Sequence, residues 1–309
     1  VDMVQAFEAK GYSLNPTVQN MYLGMKEDFK SEAVLPWGVT TYYRATSPAI
    51  GGTFTSLEPS QEKLDKAEPT WKDSMNDYNV MIVTIARAAG ENTNYTPGEE
   101  GVNPEQNLNQ ADPLGLSDTE RATIDAAVKA KEQNGGKVIV LLNNASAMEI
   151  DELKNNDGID AMLEVGIPGG YGFYGVADVL SGDANPSGHL ADTYAVDNSA
   201  SPAAQNYGDY EWTNADSDYS INSEIVEAES IYTGYKYYET RYADTVLGQG
   251  NASDSVGSST GGAWTYDSEV SYPFGYGLSY TTFTQTLDSL NVDLEKKTVT
   301  AEVTVTNTG

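Results

Sequence analysis

The chain has 309 residues, with 46 acidic and 17 basic side chains, and its formal net charge is −29 at pH 7. A charge this negative argues against nucleic acid and anionic membrane surfaces as partners, because both are bound by clustered Lys and Arg. Cysteine is absent and His189 is the only histidine, which excludes disulfides, thiolate nucleophiles and Cys-ligated metals. No apolar run approaches the roughly 18 residues of a membrane span. These exclusions leave a neutral ligand as the natural expectation.

The first part of the chain is predicted to be helical and then irregular. Residues 1–30 have apolar side chains at helical spacing, among them Val4, Phe7 and Met21. The stretch from Leu35 to Ser60 is rich in Gly, Pro, Thr and Ser and is predicted to be a loop.

The middle third alternates strands and helices. Continuous apolar runs predict three strands, at Asn79–Ile85, Lys137–Leu142 and Ile159–Val165. Helices are predicted after each strand, at Ser117–Gly136, Ser146–Leu153 and Gly170–Leu180. The first two begin with capping boxes, Ser117 with Glu120 and Ser146 with Glu149. Buried strands that alternate with helices are typical of an α/β fold, with a parallel sheet covered on both faces.

Ligands of such sheets bind outside the carboxyl ends of the strands. This rule selects the loops that follow Ile85, Leu142 and Val165. The first, from Ala86 to Leu116, has about thirty residues, and a connection of that length is either functional or disordered.

The candidate chemical groups are carboxylates in this long loop. Glu91 follows the first strand closely, and Gly90 allows close backbone approach to a ligand. A general acid has to lie next to the leaving group, which fits a carboxylate at a strand end. Glu99 and Glu100 compete with Glu91, and spacing does not decide between them. Arg87 is a candidate to orient a ligand hydroxyl or the carboxylate.

Two further strand ends carry candidate binding residues. Asn143 and Asn144 follow the second strand, where their amides could bind sugar hydroxyls or cap the next helix. Tyr171 follows the turn Pro168-Gly169-Gly170 after the third strand and is a weaker candidate for lining a site. A structural or exposed place is favoured for His189.

The last part of the chain changes character. The stretch from Asp197 to Ser271 is irregular and contains a tyrosine-rich segment, Ile231–Tyr242, which is a ligand platform or a domain interface. Thr281–Gly309 alternates apolar and polar residues, which predicts antiparallel strands. About thirty residues are too few for a seven-stranded sandwich. We therefore expect a truncated β segment here.

These segments together resemble glycoside hydrolase family 3, the β-glucosidase and β-xylosidase type. The matching stretches, in the family's order, are ARAAGE (86–91), PLGLSDTERATI (113–124), KVIVLLNNASAMEIDEL (137–153), residues 159–196, ESIYTGYKYYETRY (229–242) and YPFGYGLSYTTF (272–283). The resemblance implies a three-layer α/β-sandwich domain over residues 1–277 and the beginning of a fibronectin type III-like domain over 278–309. The tract 192–210 is similar to members in which these domains precede the catalytic barrel.

The resemblance also implies a mechanism. In this family a TIM-like barrel carries the Asp nucleophile, and the α/β-sandwich domain supplies an acid/base glutamate in the context R-x-x-G-E-G. Arg87 to Glu91 match this context, and the following Asn92 departs from the usual Gly. The segment Gly188-His189-Leu190-Ala191 departs from the family's G-[RK]-L-P.

The resemblance thus makes the chain part of a retaining, exo-acting β-glycosidase that acts on a β-linked oligosaccharide or glycoside. Glu91 is the expected acid/base, and the chain alone should be inactive because no barrel or nucleophile segment is recognised. No metal or cofactor is implied. The alternative is a non-catalytic carbohydrate-binding or scaffold domain, and a nucleotide-binding domain is weakened by the missing phosphate loop. The sugar, the linkage, the oligomeric state and the compartment are left open.

Overall fold

A computed structural model describes residues 2–25, 30–35, 38–43, 58–87, 112–208, 210–212, 223–250 and 253–309, with only the backbone of 30–35 and 38–43. At its centre three parallel strands lie in the order β3 (Val80–Ala86), β4 (Lys137–Asn143) and β5 (Ala161–Glu164). Each predicted strand of the middle third is therefore present. Their apolar, β-branched side chains suit a sheet that is buried on both faces.

The helix between β3 and β4 forms as its sequence predicts. Helix α5 spans Asp118–Asn134 and begins with a capping box between Ser117 and Glu120. It ends at Gly135, whose φ of 71° lies in the left-handed region that favours glycine. Ile124, Ala127 and Ala130 form its buried face.

Helices cover both faces of the sheet. On one face, the main hydrophobic core joins α5 to Met81, Val83 and Ile85 of β3. On the other face, Ile82 packs into a smaller core between α1 (Met3–Ala9) and α7 (Gly172–Ser181). Alternate residues of β3 thus point to opposite helical layers. The predicted three-layer α/β fold is confirmed.

Two predictions for the first 60 residues need correction. The predicted helical stretch is two helices, because α2 (Pro16–Gly24) starts anew after an Asn15 cap with Pro16 at its first position. The predicted loop from Leu35 to Ser60 begins instead as an antiparallel hairpin of β1 (Lys30–Leu35) and β2 (Gly38–Tyr43). Residues 36–37 and 44–57 of that loop lie outside the described residues.

The predicted helix Ser146–Leu153 is also wrong. Only α6 (Asp151–Lys154) is helical, with no side-chain cap. The Glu149 carboxylate accepts a hydrogen bond from the Asn198 amide at 2.7 Å, so its bonding partner lies in a different segment. Met148 and Ile150 are both buried, a period-2 pattern that suits extended chain. Tertiary packing therefore overrides the local capping signal.

Short elements complete the domain. Helices α3 and α4, at Gln61–Ala67 and Trp71–Ser74, precede the sheet. After it follow β6 (Tyr194–Ala195), α8 (Pro202–Asn206), β7 (Tyr210–Glu211), β8 (Ser223–Glu224), α9 (Tyr235–Arg241), α10 (Tyr266–Glu269) and β9 (Val270–Tyr272). Strand β6 pairs antiparallel with β9, and β7 pairs antiparallel with β8. Within the described ranges no helix is long and apolar enough to cross a bilayer.

The described chain ends in a long antiparallel hairpin. Strands β10 (Phe283–Asp293) and β11 (Thr298–Asn307) pair with one register shift, between Leu287 and Ser289. That bulge keeps the apolar side chains of both strands on one face. These side chains, all at least half exposed, are Leu287, Leu290, Val292, Val299, Val303 and Val305. The hairpin confirms the predicted antiparallel strands and fits a fibronectin type III-like segment.

Candidate functional site

The carboxyl ends of the three parallel strands are aligned. Ala86 of β3 is in register with Asn143 of β4, and Leu142 of β4 is in register with Glu164 of β5. The residues that follow each strand therefore meet at one edge of the sheet, which we call the rim. The rim contains Arg87, Asn143 and Glu164, so it brings together two predicted site residues and one that the sequence analysis missed.

Arg87 is buried at the rim, and every N–H of its guanidinium is used. Two nitrogens donate to the Glu120 carboxylate, at 2.5 and 2.8 Å. The other three donors bind the carbonyl oxygens of Ala86, Pro113 and Gly115, at 2.9, 2.9 and 2.6 Å. No donor is left for a ligand hydroxyl. The prediction that Arg87 binds substrate is therefore not supported by its hydrogen bonds. The side chain instead links the end of β3 to Glu120 and to the backbone of Pro113 and Gly115.

The bonds of Arg87 connect the two ends of the long loop. Arg87 is the last described residue before it, and Pro113 and Gly115 follow it closely. Residues 88–111 lie outside the described residues, and they include Glu91 and its competitors Glu99 and Glu100. The loop thus leaves and rejoins the domain at one point of the rim.

Asn143 and Asn144 have different roles. The Asn143 side chain is half-buried and donates to the Gly166 carbonyl at 2.5 Å, which ties the end of β4 to the turn after β5. Asn144 is fully buried, and its Nδ2 contacts the Met148 sulfur at 3.3 Å. Its Oδ1 has no hydrogen-bond partner within the described part of the chain. Neither amide caps a helix at Ser146, because no helix begins there.

Glu164 and Tyr194 form a carboxyl–phenol pair at the rim. The Tyr194 hydroxyl donates to Glu164 Oε2 at 2.7 Å, and the Gly166 amide donates to Oε1 at 2.7 Å. Burial raises the pKa of Glu164 above its ordinary value, although both donors oppose this. The pair was missed because the two residues lie far apart in sequence. The one available signal was an acidic residue inside an apolar strand.

Tyr171 lies in the turn that follows β5. Gly169 has φ of 64°, and the Gly172 amide closes the turn by donating to the Pro168 carbonyl at 3.0 Å. The Tyr171 side chain is 77% exposed, so it is free to contact a ligand at this end of the sheet.

An acidic cleft, separate from the rim residues described above, lies beside the start of α5. It has a volume of about 280 Å³, and its lining includes Asp112, Arg121 and Glu149. Burial and then the nearby Asp112 charge raise the pKa of Glu149 to about 7. The sequence analysis predicted that Glu149 caps a helix and did not identify this cleft. Across the described ranges, no group of three or more His, Asp or Glu side chains has the arrangement of a metal site.

His189 has a structural place. Its ring is exposed, and Nδ1 lies 2.8 Å from the Gly275 carbonyl oxygen. The neighbouring Leu190 exchanges backbone hydrogen bonds with Gly275 and Tyr276. The ring is therefore fixed next to this backbone contact.

A parallel sheet with helices on both faces defines the chain as a three-layer α/β domain, a class whose ligands usually bind at the carboxyl ends of the strands. The particular family follows from comparison with known proteins. The family model for the glycosyl hydrolase family 3 C-terminal domain matches residues 5–280, and the chain belongs to this family.

Individual relatives agree with this family. The chain is 28% identical over 265 residues to a β-glucosidase from Ruminococcus albus, across 84% of this chain and 22% of that protein. It is 33% identical over 156 residues to β-glucosidase A from Butyrivibrio fibrisolvens, across 50% of this chain and 15% of that protein. The chain thus spans a quarter or less of each of these relatives.

A solved structure gives the same result. β-Glucosidase 3B from Thermotoga neapolitana in complex with α-D-glucose aligns with a TM-score of 0.61 at 25% identity. The alignment covers 100% of this chain and 34% of that one. The chain is therefore a β-glucosidase-like C-terminal domain of family 3, and its structural relatives are glycoside hydrolases.

Proposed function

We propose that this chain is the accessory domain of a retaining, exo-acting β-glycosidase of the β-glucosidase type, and that Glu91 supplies the acid/base carboxylate. The single observation that most supports this is the set of hydrogen bonds from Arg87 to Pro113, Gly115 and Glu120, which hold both ends of the loop that carries Glu91 at the rim. Strand-end loops of this kind are where α/β domains present functional groups.

Chain connectivity limits how far Glu91 can lie from the rim. It follows Arg87 by four residues, and four residues span at most about 14 Å when fully extended. Because Arg87 is buried and fully hydrogen-bonded, the short segment from Arg87 to Glu91 restricts the positions that the Glu91 carboxylate can reach. Such restriction is what a general acid needs, because it has to reach one leaving-group oxygen.

The proposed chemistry is a double displacement. Glu91 protonates the leaving oxygen while a carboxylate from another domain attacks the sugar, and it then activates the water that releases the sugar. Retaining enzymes place these two carboxyl groups about 5–5.5 Å apart. A raised Glu91 pKa is needed for the first step, and either desolvation or the neighbouring nucleophile would supply it.

The remaining rim residues have supporting roles in this proposal. Asn143 and Tyr171 line the substrate side of the site, with the exposed ring of Tyr171 as a stacking surface. Arg87 acts as a positioning residue, because its donors are already used. Residues 1–277 form the accessory domain, and residues 278–309 contribute to the fibronectin type III-like part.

The first test asks whether the 309-residue chain is inactive alone. The purified chain is incubated with an aryl β-glucoside, and the Glu91→Gln variant is run beside it. No turnover above background is expected from either protein. Turnover that Glu91→Gln abolishes would show that a nucleophile lies in this chain, and the accessory role would be wrong.

The second test addresses Glu91 within the full-length enzyme. Glu91→Ala should slow substrates with poor leaving groups far more than those with good ones, because only the former need a proton. Azide should partly restore turnover of the good ones, because this anion attacks the glycosyl-enzyme without a general base, displaces the enzyme carboxylate and forms a glycosyl azide in place of the free sugar. Glu99→Ala and Glu100→Ala serve as matched controls. Equal slowing of all substrates by Glu91→Ala would assign the acid/base elsewhere.

A further inference from the structure

The structure contains an open cleft of about 700 Å³ that has no part in the rim chemistry. Its lining includes four aromatic rings, those of Tyr232, Tyr235, Tyr266 and Phe274, and we call it the tyrosine cleft. Lys236, Glu239, Thr240 and Ala243 form another part of the lining.

We infer that the tyrosine cleft is a binding site for a neutral glycan chain, separate from the strand-end rim. That the glycan is β-linked glucose rests on the proposed function. The binding itself rests on the lining of the cleft, and the two can fail independently.

The wall of the cleft is one face of a helix whose other face is fixed. Lys236, Glu239, Thr240 and Ala243 recur at three- and four-residue spacing along α9 and its continuation. The opposite face contributes Tyr237 and Tyr238 to a small hydrophobic core. The cleft side therefore does not need to order itself on binding, which lowers the cost of binding.

Two of the aromatic rings form a stacked pair within the cleft. The rings of Tyr235 and Phe274 stack with centroids 4.1 Å apart and planes 20° apart. Phe274 and Tyr232 are each 45% exposed. The ring of Tyr266 is held in place, because its hydroxyl donates to Glu239 Oε1 at 2.5 Å. Flat, partly exposed rings with polar tips suit the C–H faces and hydroxyl edges of a sugar.

Hydrogen-bond donors and acceptors lie beside the rings, where they can bind the hydroxyl groups of a sugar. Glu239 brings carboxylate oxygens that accept, Lys236 brings an ammonium that donates, and Thr240 brings a hydroxyl that does both. A few polar groups among aromatic walls are typical of ligand sites, and the volume lies within their usual range of about 300–1,000 Å³.

Charge favours a neutral ligand over an anionic one. The chain carries −29 in total, and Lys236 is the only cation among the described residues that line the cleft. A polyanion would be repelled by the protein as a whole. A neutral polyhydroxyl chain is not, and it can bond both Lys236 and Glu239.

The test is calorimetric titration of the 309-residue chain with cellotetraose and, separately, laminaritetraose. Saturable millimolar or tighter binding of at least one sugar is expected. Tyr235→Ala and Tyr232→Ala should each weaken it about tenfold, as truncation of a central aromatic anchor does. Tyr207→Ala removes an exposed tyrosine outside both the cleft and the rim, and as the matched control it should leave the affinity unchanged. Tyr171→Ala reports separately on sugar binding at the rim. Far-UV circular dichroism and urea unfolding check that every variant folds, and Lys236→Met provides an exposed variant that cannot disturb the core.

Each outcome decides between the proposals. The proposal that the cleft binds a glycan is overturned if neither sugar binds. It is also overturned if binding is unchanged in Tyr232→Ala, Tyr235→Ala and Lys236→Met. Binding lost only in Tyr171→Ala places the sugar at the rim and also overturns it. If the cleft instead binds a domain of the same enzyme, cleft variants will weaken association of separately produced domains, with no sugar bound. Sugar binding that survives in Tyr171→Ala but is weakened in Tyr235→Ala supports the cleft whatever the result of the acid/base test.

Discussion

The carboxylate of Glu120 is bound from two directions. The Arg87 guanidinium donates to both of its oxygens, and the Ser117 amide donates to Oε2 at 2.9 Å. The Glu120 side chain therefore completes the cap of α5 and also neutralises the buried charge of Arg87 at the end of β3. The start of α5 and the end of β3 are joined by this carboxylate, and the loop that carries Glu91 begins there.

Breaking this pair should strongly destabilise the domain. Both side chains are nearly inaccessible to solvent, 0% for Arg87 and 3% for Glu120. Arg87→Met leaves the Glu120 charge buried without its partner, and the expected loss of unfolding free energy is about 3–5 kcal/mol. Urea unfolding of the 309-residue chain measures it.

An exposed ion pair provides the control for this prediction. Arg121 and Glu152 pair at 2.8 Å, with side chains 40% and 44% exposed. Arg121→Met should cost at most about 1 kcal/mol. Equal losses in Arg87→Met and Arg121→Met would mean that burial of the Arg87 pair is unimportant.

The two predicted capping boxes give a matched pair of variants. The Ser117 hydroxyl accepts from the Glu120 amide at 3.2 Å, so Ser117→Ala should cost about 1 kcal/mol. Ser146 begins no helix, so Ser146→Ala should change the unfolding free energy by less than about 0.5 kcal/mol. Thermal unfolding followed by circular dichroism distinguishes them. A larger loss for Ser146→Ala would mean that the helix predicted at that position forms after all.

Glu58 should make stability fall with rising pH. Burial raises its pKa to about 7, against the lowering effect of hydrogen bonds from Tyr22 and Thr123. Its pKa in the unfolded chain is about 4.3, so between these values the folded state binds the proton more tightly. Stability from this group is complete below the unfolded pKa and is lost as pH rises to about 7. Glu149 contributes in the same direction and window.

Glu58→Gln should flatten this dependence, because the amide oxygen still accepts but does not titrate. The loss of unfolding free energy across this window should shrink by on the order of 2 kcal/mol. Urea unfolding at several pH values measures the slope. Glu62→Gln removes the same charge from an exposed site and serves as the control. An unchanged slope in Glu58→Gln would show that the carboxyl is ionised at low pH in the folded protein.

Tyr194→Phe should raise the pKa of Glu164 further. The lost hydroxyl donates to the carboxylate and so favours the charged form, and its removal should shift the titration of Glu164 to higher pH. Carbon-13 NMR of the glutamate carboxyl carbons follows this titration. Tyr280→Phe removes a hydroxyl that donates to the Val179 carbonyl and should leave Glu164 unaffected. A downward shift in Tyr194→Phe would contradict the assigned donor.

Local signals predicted elements correctly where no distant group competed for their residues. The apolar runs of β3 and β4 and the cap and Gly135 terminus of α5 are examples. The same reasoning failed at Glu149, because the amide of Asn198, 49 residues away, takes the carboxylate that the cap would need. Arg87 was expected to orient a ligand hydroxyl or the acid/base carboxylate, but all of its N–H groups donate to Glu120 and to backbone carbonyls.

The sequence alone determined the fold class, the family resemblance and the convergence of the strand-end loops, since these depend on periodicity and on the order of the strands. Only the tertiary structure decided the partners of buried polar groups. It joined Arg87 to Glu120 and Glu164 to Tyr194, and it gathered the tyrosine cleft from three separate segments. The physical reason is that a buried donor or acceptor has to find its partner among residues that are close in space, and sequence distance does not limit that choice.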